Sequence, residues 1–496
     1  LKFQSIAGAV GLLSVACLLA WQAHDIHDWA VELLRRLPYP FGLDYGEGVV
    51  WQQALTLVDG TAYGRLQTLP ATPFNYPPFY HLVVLLGRSL SGADILAVGR
   101  AVSALAAVLS GVASAGLIWR VVGGTRGALA GMLVGGLLPI SEMPAIAWSG
   151  LMRVDGLAVA LGLVGLWIGG RAAVSPSARR WAMAVLVLAV YTKQTMILAP
   201  LAFLAGLAWV DRRAAWGALG FGFLVAVPPL LVLMAMSDGR VVLHLLVINV
   251  TNRFDAGFIP AVLGNMRYAL ATGAIAAGML LICAVLNRTQ RPDLRDPRHF
   301  TLLLLCLNVA FMTVNIVALA KSGSGNNYML GPLYAVCPLV GVALAWTMRR
   351  NWHGLLAPVL AAALLGQFWR SPPFPPLSAL AEAPRRAVLE AVRATDGNIL
   401  AEDPSILLRA GRRYDFEPAM MTELASTGWW DEHDFVSAIQ THRYALLVLE
   451  GEDGDEYYDA RFTPAMRAAI RTAYPRIERL GNFRLRRPRE PMAASG

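Results

Sequence analysis

Apolar runs of roughly 15 to 25 residues follow one another from the beginning of the chain to about residue 370. They are broken only by short stretches rich in Arg, Pro, Gly and Asn. A helix crossing a bilayer core of about 30 Å needs about 20 consecutive apolar residues, so this spacing demands many spanning helices, not one anchor on a soluble body. Composition agrees: 56% of the 496 residues are hydrophobic and 15% are charged, against about 25% charged in ordinary soluble domains. Hydropathy places about eleven spans. They lie near Ile6 to Trp21, Leu96 to Ile118, Ala128 to Ile140, Leu157 to Ile168, Trp181 to Tyr191, Met196 to Val210 and Ala218 to Met236. The rest lie near Leu270 to Leu286, Phe300 to Ala320, Tyr328 to Trp346 and Leu355 to Phe368.

The formal charge of +9 does not point to nucleic acid, because the arginines sit between apolar blocks, where they set orientation. With a cytoplasmic N-terminus, the inner connections hold Arg120 and Arg126, Arg171 with Arg179 and Arg180, Arg212 and Arg213, the Arg288 to Arg298 cluster, and Arg349 with Arg350. Every short Arg-rich connection then falls on one side, as the positive-inside rule requires. The outer side receives the loop holding Asp44, the turn "WSGLMRVDG", the break "YTKQT", the segment from Ser237 to Arg267, and "KSGSGNNY". Cys17, Cys283, Cys306 and Cys337 all lie in apolar blocks without metal-ligand spacing, so neither a disulfide nor zinc is expected. The first apolar block has no small-residue cleavage site and reads as a retained helix.

Three regions follow: a membrane domain over 1–370 with a long outer loop at 23–94, a proline-rich linker at 371–378, and an outer α/β domain over 379–496. The last alternates strand-like runs, "NILAED" and "YALLVLEG", with helix-like runs, "DEHDFVSAIQTHR" and "PAMRAAIRTAY". A loop of about 70 residues implies function or internal structure. Its tail, "NYPPFYHLVVLLG", reads as an amphipathic segment at the membrane surface.

Polar chemistry gathers on the outer side. Asp44 and Glu47 stand three residues apart in "GLDYGEGVVWQQA", either as reactive carboxylates or as the cap of a surface helix. Arg153 and Asp155 in "MRVDGLAVAL" form either a helix-end ion pair or part of a polar cavity. Lys193 and Gln194 interrupt two short helices, and Lys193 either snorkels outward or binds something. The Gly-rich turn before Asn326, Asn327 and Tyr328 suits phosphate or sugar hydroxyls, or simply starts a helix. Carboxylates can take a proton from a hydroxyl while Lys and Arg hold a phosphate leaving group, which is the chemistry of glycosyl transfer from a lipid phosphate.

The early acidic motif, the loop ending in Tyr-Pro-Pro, "RVDGLA", "KQT" and the Asn-Asn-Tyr turn together resemble the membrane glycosyltransferases of the GT-C fold. Within that fold they are similar to the protein O-mannosyltransferase and aminoarabinose transferase superfamily, family 39, of bacterial inner membranes. The resemblance runs from Ile6 to about Trp369. It implies a polytopic α-helical GT-C body with a small periplasmic α/β domain. It also implies an enzyme that moves a sugar from a polyprenyl-phosphate donor to a periplasmic glycan, lipid or protein acceptor. Asp44 matches the base in the first outer loop, with Glu47 beside it; a single base predicts inversion at the anomeric carbon. Tyr76, Arg153, Asp155, Lys193, Gln194, Arg267, Asn326, Asn327 and Tyr328 are candidates for the donor phosphate and sugar. Relatives commonly pair two acids directly, whereas Tyr45 and Gly46 intervene here. No lysine stands near "FNYPPFYH", so Lys193, Arg153 or Arg267 takes that part. No cofactor is expected; Asp44, Glu47 and Asp155 could offer Mg²⁺ or Mn²⁺ oxygen ligands, which is not favoured. A transporter or flippase of a lipid-linked sugar, and a glycan ligase or polymerase using a lipid pyrophosphate, are the alternatives.

Overall fold

The computed structural model describes residues 2–125, 127–141, 147–265, 267–286, 292–321, 324–349, 356–369 and 382–489. The first half of the membrane body holds α1 (Lys2–Arg36), α2 (Tyr45–Val58), α3 (Phe79–Ser91), α4 (Ile95–Val122), α5 (Ala128–Ser141), α6 (Val154–Gly169) and α7 (Pro176–Thr192). The second half holds α8 (Leu198–Val210), α9 (Arg212–Met236), α10 (Phe258–Asn265), α11 (Arg267–Leu286), α12 (Pro297–Thr313), α13 (Leu330–Arg349) and α14 (Leu356–Trp369). Each of the predicted apolar segments is helical over its described residues. Among the described residues five stretches are long and apolar enough to cross a bilayer: Gly8–Arg36, Ile95–Val122, Arg212–Met236, Pro297–Ala320 and Asn326–Met348. Shorter apolar helices pack with them. The chain is a multi-pass membrane protein.

Lipid offers no hydrophobic driving force between helices, so close backbone approach at small residues holds the bundle. A Cβ on Gly131 of α5 would lie 2.3 Å from the Gly341 carbonyl of α13, and one on Gly111 of α4 would lie 2.5 Å from the Gly136 carbonyl of α5. The two ends of the bundle differ as the charge pattern predicts. At one end Arg120 donates to the Trp167 carbonyl, and Gly170 sits against Arg120 and Thr301. The other end gathers Asp44, Arg153, Asp155 and Lys193. Arg126, Arg288, Arg350 and the 371–378 linker lie outside the described residues.

The first helix corrects the expected boundary at Trp21, because it continues for four more turns to Arg36. Polar residues there form pairs one turn apart, His24 with Asp28 at 3.3 Å and Glu32 with Arg36 at 2.8 Å, which support a helix beyond the apolar slab. The segment between α1 and α4 contains α2 and α3. As expected, α3 is amphipathic: Tyr80, His81 and Val84 are buried while Leu82, Leu86 and Leu90 are exposed.

The C-terminal unit has a four-stranded sheet of β1 (Ile399–Ala401), β2 (Leu446–Leu449), β3 (Arg476–Leu480) and β4 (Phe483–Arg487), in the order β1-β2-β4-β3. The first pair is parallel and the others antiparallel. The strand-like runs supplied β1 and β2. The hairpin of β3 and β4 went unread; its signal was Gly481-Asn482 between two alternating runs, with Gly481 at φ +59° as a two-residue turn requires. Helix α15 (Glu382–Ala394) and α16 (Pro404–Arg409) cover one face together with Tyr39 and Phe41 from the segment after α1. The other face packs α17 (Pro418–Ser426), α18 (His433–Gln440), α19 (Glu456–Arg461) and α20 (Pro464–Ala473) around Phe416, Phe435 and Tyr474. Two aromatics of the outer loop thus belong to the core of this unit, so it is seated on the loop, not tethered beside it.

Candidate active site

Asp44 is the N-cap of α2, with extended backbone at φ −138° and ψ 164°. Its Oδ1 accepts the Glu47 N–H at 3.0 Å, and its Oδ2 meets Arg153 Nη1 at 3.1 Å. The side chain keeps 30% of its surface open. One oxygen therefore caps the helix while the other is held by Arg153. Burial pushes the carboxyl above its ordinary range, with Glu47 adding repulsion and Arg153 only partly offsetting both. A base raised in this way is a better proton acceptor near neutral pH.

Arg153 is placed by a missing side chain. A Cβ on Gly46 would lie 1.2 Å from Arg153 Nη1, so only glycine leaves room for the guanidinium against the first turn of α2. The Trp148 ring lies 5.1 Å from the guanidinium carbon. Arg153 Nε stands 3.9 Å from Asp155 Oδ2, in the first turn of α6, where the helix dipole favours a carboxylate. Asp155 Oδ1 accepts from Lys193 Nζ at 2.5 Å and from Asn327 Nδ2 at 3.0 Å. Lys193 has extended backbone between α7 and a short 3₁₀ turn, Gln194–Ile197, and its ammonium lies 4.3 Å from the Tyr328 ring. Tyr76 lies among these same groups, within electrostatic reach of Arg153, Asp155, Lys193 and Tyr328. Arg153 Nε, Asp155 Oδ2 and Gln194 Oε1 are buried without a hydrogen-bond partner. Buried polar atoms left without a partner mark places where water or a ligand is received.

The structure separates the remaining candidates. Glu47 is fully buried and takes no part in the recess. It accepts from Arg100 Nε at 3.0 Å and Nη2 at 2.7 Å, and from the Met152 and Leu43 amides at 2.6 and 2.7 Å. Arg100 also donates to the Arg36, Tyr39 and Phe41 carbonyls, each at 2.7 Å. The Glu47 carboxylate is thus saturated by the buried arginine on α4 and two backbone amides. Gln194 anchors the outer loop through the Asn75 carbonyl at 2.9 Å. Asn326 is exposed, and the turn directs Asn327 inward instead. Arg267 is exposed at the start of α11.

An ArnT structure from Cupriavidus metallidurans, solved bound to undecaprenyl phosphate, is similar over 95% of this chain and 98% of its own, with a TM-score of 0.61 and 14% identity. The chain has the GT-C fold. An oligosaccharyltransferase from Archaeoglobus fulgidus, tethered to an acceptor peptide, is similar over 92% of this chain and 72% of its own, with a TM-score of 0.51 and 10% identity. The Archaeoglobus fulgidus oligosaccharyltransferase AglB, in complex with an inhibitory peptide and a dolichol-phosphate, covers 95% and 75% at a TM-score of 0.51 and 11% identity. No family model and no curated protein matches the sequence.

On this GT-C body two features escaped the sequence reading. Arg100 was visible as a lone cation inside an apolar block, a pattern that signals a buried partner. Lys321 heads the Gly-rich turn, donates to the Asn249 carbonyl, and lies close enough to Lys193 for the two charges to interact. Asp44, Arg153, Asp155 and Lys193 balance in charge; Lys321 tips the recess positive. Of the carboxylates considered for a divalent metal, Glu47 has both oxygens on Arg100 and backbone amides, and Asp155 has Oδ1 on Lys193 and Asn327 while Oδ2 has no hydrogen-bond partner. Among the described residues no three His, Cys, Asp or Glu side chains group as metal ligands.

Proposed function

We propose that this chain transfers a sugar from a polyprenyl-phosphate donor to a hydroxyl-bearing acceptor, with inversion and with Asp44 as general base. The observation that carries the reading is the carboxylate of Asp44, one oxygen capping α2 and the other on Arg153 with 30% of the side chain still exposed, at the head of a run of contacts through Arg153 and Asp155 to Lys193. The GT-C fold and a neighbour that binds undecaprenyl phosphate support the donor class. The acceptor oxygen attacks the anomeric carbon and its proton passes to Asp44. The bond from that carbon to the phosphate oxygen breaks, and the phosphate leaves with the electron pair against Lys193 and Lys321. Arg153 fixes the orientation of Asp44, and Asn327 and Asp155 fix Lys193.

Asp44→Asn is a clean test because asparagine caps a helix about as well as aspartate. The expected result is a folded protein that binds donor normally and turns over about 10²- to 10⁴-fold more slowly. Near-normal turnover would return Asp44 to a capping role. The same reading puts the Asp44 face in the periplasm of a bacterial inner membrane, on the Arg-poor side. A reporter fused after Gly496 should then be active only if it works outside the cytoplasm; a reporter active only in the cytoplasm would reverse the sidedness.

A further inference from the structure

The end of the bundle opposite Asp44 carries a recess of about 580 Å³ whose walls include Gly116, Trp119, Arg120, Trp167, Arg171 and Arg298. Helix α4 measures the separation: Arg100 joins the Glu47 hub, and Arg120 follows twenty residues later, about 30 Å along the axis. The three arginines come from the end of α4, the turn after α6 and the first turn of α12. Arg120 is anchored by donating to the Trp167 carbonyl, and the charge of Arg171 acts on it directly. Among the described residues no ion pair links Arg120, Arg171 or Arg298 to a carboxylate. The acids beside Arg298 are engaged locally: Asp296 Oδ1 caps α12 through the Arg298 N–H at 2.8 Å, and Asp293 Oδ1 takes the Arg295 N–H at 2.9 Å. Converging like charges with no protein counter-ion call for an anion.

The flanking surface says which kind. On α4, Leu105, Val108, Leu109 and Val112 are exposed at spacings of three and four residues, forming one apolar stripe that leads to Gly116 and then to Trp119, itself 54% exposed. A Cβ on Gly116 would lie 2.4 Å from the Trp167 ring, so that ring lies directly over the glycine and walls the recess. Tryptophans favour the level of lipid headgroups, and basic pockets between helices on the inner face suit anionic headgroups. We infer that this recess binds the phosphate of an anionic phospholipid, with an acyl chain lying along the α4 stripe. A small soluble phosphate would satisfy the arginines but not the stripe.

The test is native mass spectrometry of the full chain in detergent, titrated with phosphatidylglycerol or phosphatidylcholine. Arg171→Gln with Arg298→Gln is the informative variant, since both side chains are exposed, whereas Arg120 also holds α4 to α6. Expected is retention of phosphatidylglycerol about tenfold stronger than of phosphatidylcholine, lost in the double variant and unaffected by millimolar inorganic phosphate. A control that removes two exposed arginines at the other end, Arg65→Gln with Arg413→Gln, should keep the preference. Equal retention of both lipids, an unchanged double variant, or equal loss in the control would overturn the proposal. Displacement by inorganic phosphate would overturn it in favour of a soluble anion.

Discussion

At the scale of single residues, two carboxylates three positions apart have separate tasks because their surroundings differ. Asp44 keeps 30% of its side chain exposed, with one oxygen on the α2 cap and the other on Arg153, while Glu47 has both oxygens taken and no exposed surface. Removing one partner of a buried, fully hydrogen-bonded ion pair leaves the other uncompensated, at a cost of about 3 to 5 kcal/mol. Glu47→Gln is expected to lower stability by about that much, read as a fall in the thermal unfolding midpoint in detergent. Activity per folded molecule should fall far less than in Asp44→Asn. A Glu47→Gln protein that melts normally but is as slow as Asp44→Asn would place Glu47 in the chemistry after all.

At the scale of the element, the glycines of α2 are explained by what lies against them. In an exposed helix Gly→Ala gains about 1 kcal/mol of helix propensity. Here contact overrides propensity, in two different ways. A Cβ on Gly46 overlaps the Arg153 guanidinium, while one on Gly48 lies 2.9 Å from the backbone nitrogen of Ser405 in α16. Gly46→Ala should move Arg153 off Asp44 and slow turnover about 100-fold with little change in melting, since misplacement near 1 Å is costly in a catalytic constellation. Gly48→Ala should instead loosen the C-terminal unit by about 1 to 3 kcal/mol, read as faster proteolysis between residues 382 and 489. The opposite assignment, with Gly48→Ala slowing turnover and leaving the C-terminal unit intact, would refute this division.

At the scale of the whole molecule, the outer loop and the C-terminal unit behave as one body. Tyr45, next to Asp44, donates to Glu417, whose backbone N–H bonds Ala71 O at 3.1 Å. The Arg461 guanidinium lies 4.3 Å from the Tyr45 ring and also pairs with buried Glu402. Ser405 Oγ accepts the Gly42 N–H at 3.1 Å, and Arg409 pairs with Asp94 at 2.5 Å. Deeper in the unit, burial pushes the Glu450 carboxyl up to about 7, with Asp403 and Glu402 adding repulsion. A carboxyl whose folded value is raised contributes stability below its unfolded value of about 4.5, and that contribution is lost as pH rises through about 7. The full-length protein should therefore melt lower at about pH 8 than at about pH 5, by up to about 3 kcal/mol from this group. Glu450→Gln should remove most of that difference; an identical pH dependence in the variant would show that other groups govern it.

The sequence by itself determined the spans, the partition of charge between two faces and the type of the C-terminal unit. Each of these follows from local hydropathy, local period or the cost of taking charge into lipid. It also brought Arg153, Asp155, Lys193 and Asn327 forward, because polar residues at helix ends of an apolar chain stand out against their neighbours. Only the tertiary structure decided which of Asp44 and Glu47 stays partly exposed, because that depends on Arg100, 53 residues beyond Glu47. Tertiary structure likewise turned Asn327 inward. It also placed Ser405, 363 positions from Gly42, against the turn that carries Asp44. Hydropathy is a property of a segment, whereas the state of a carboxylate is set by whatever the fold brings within about 4 Å of it.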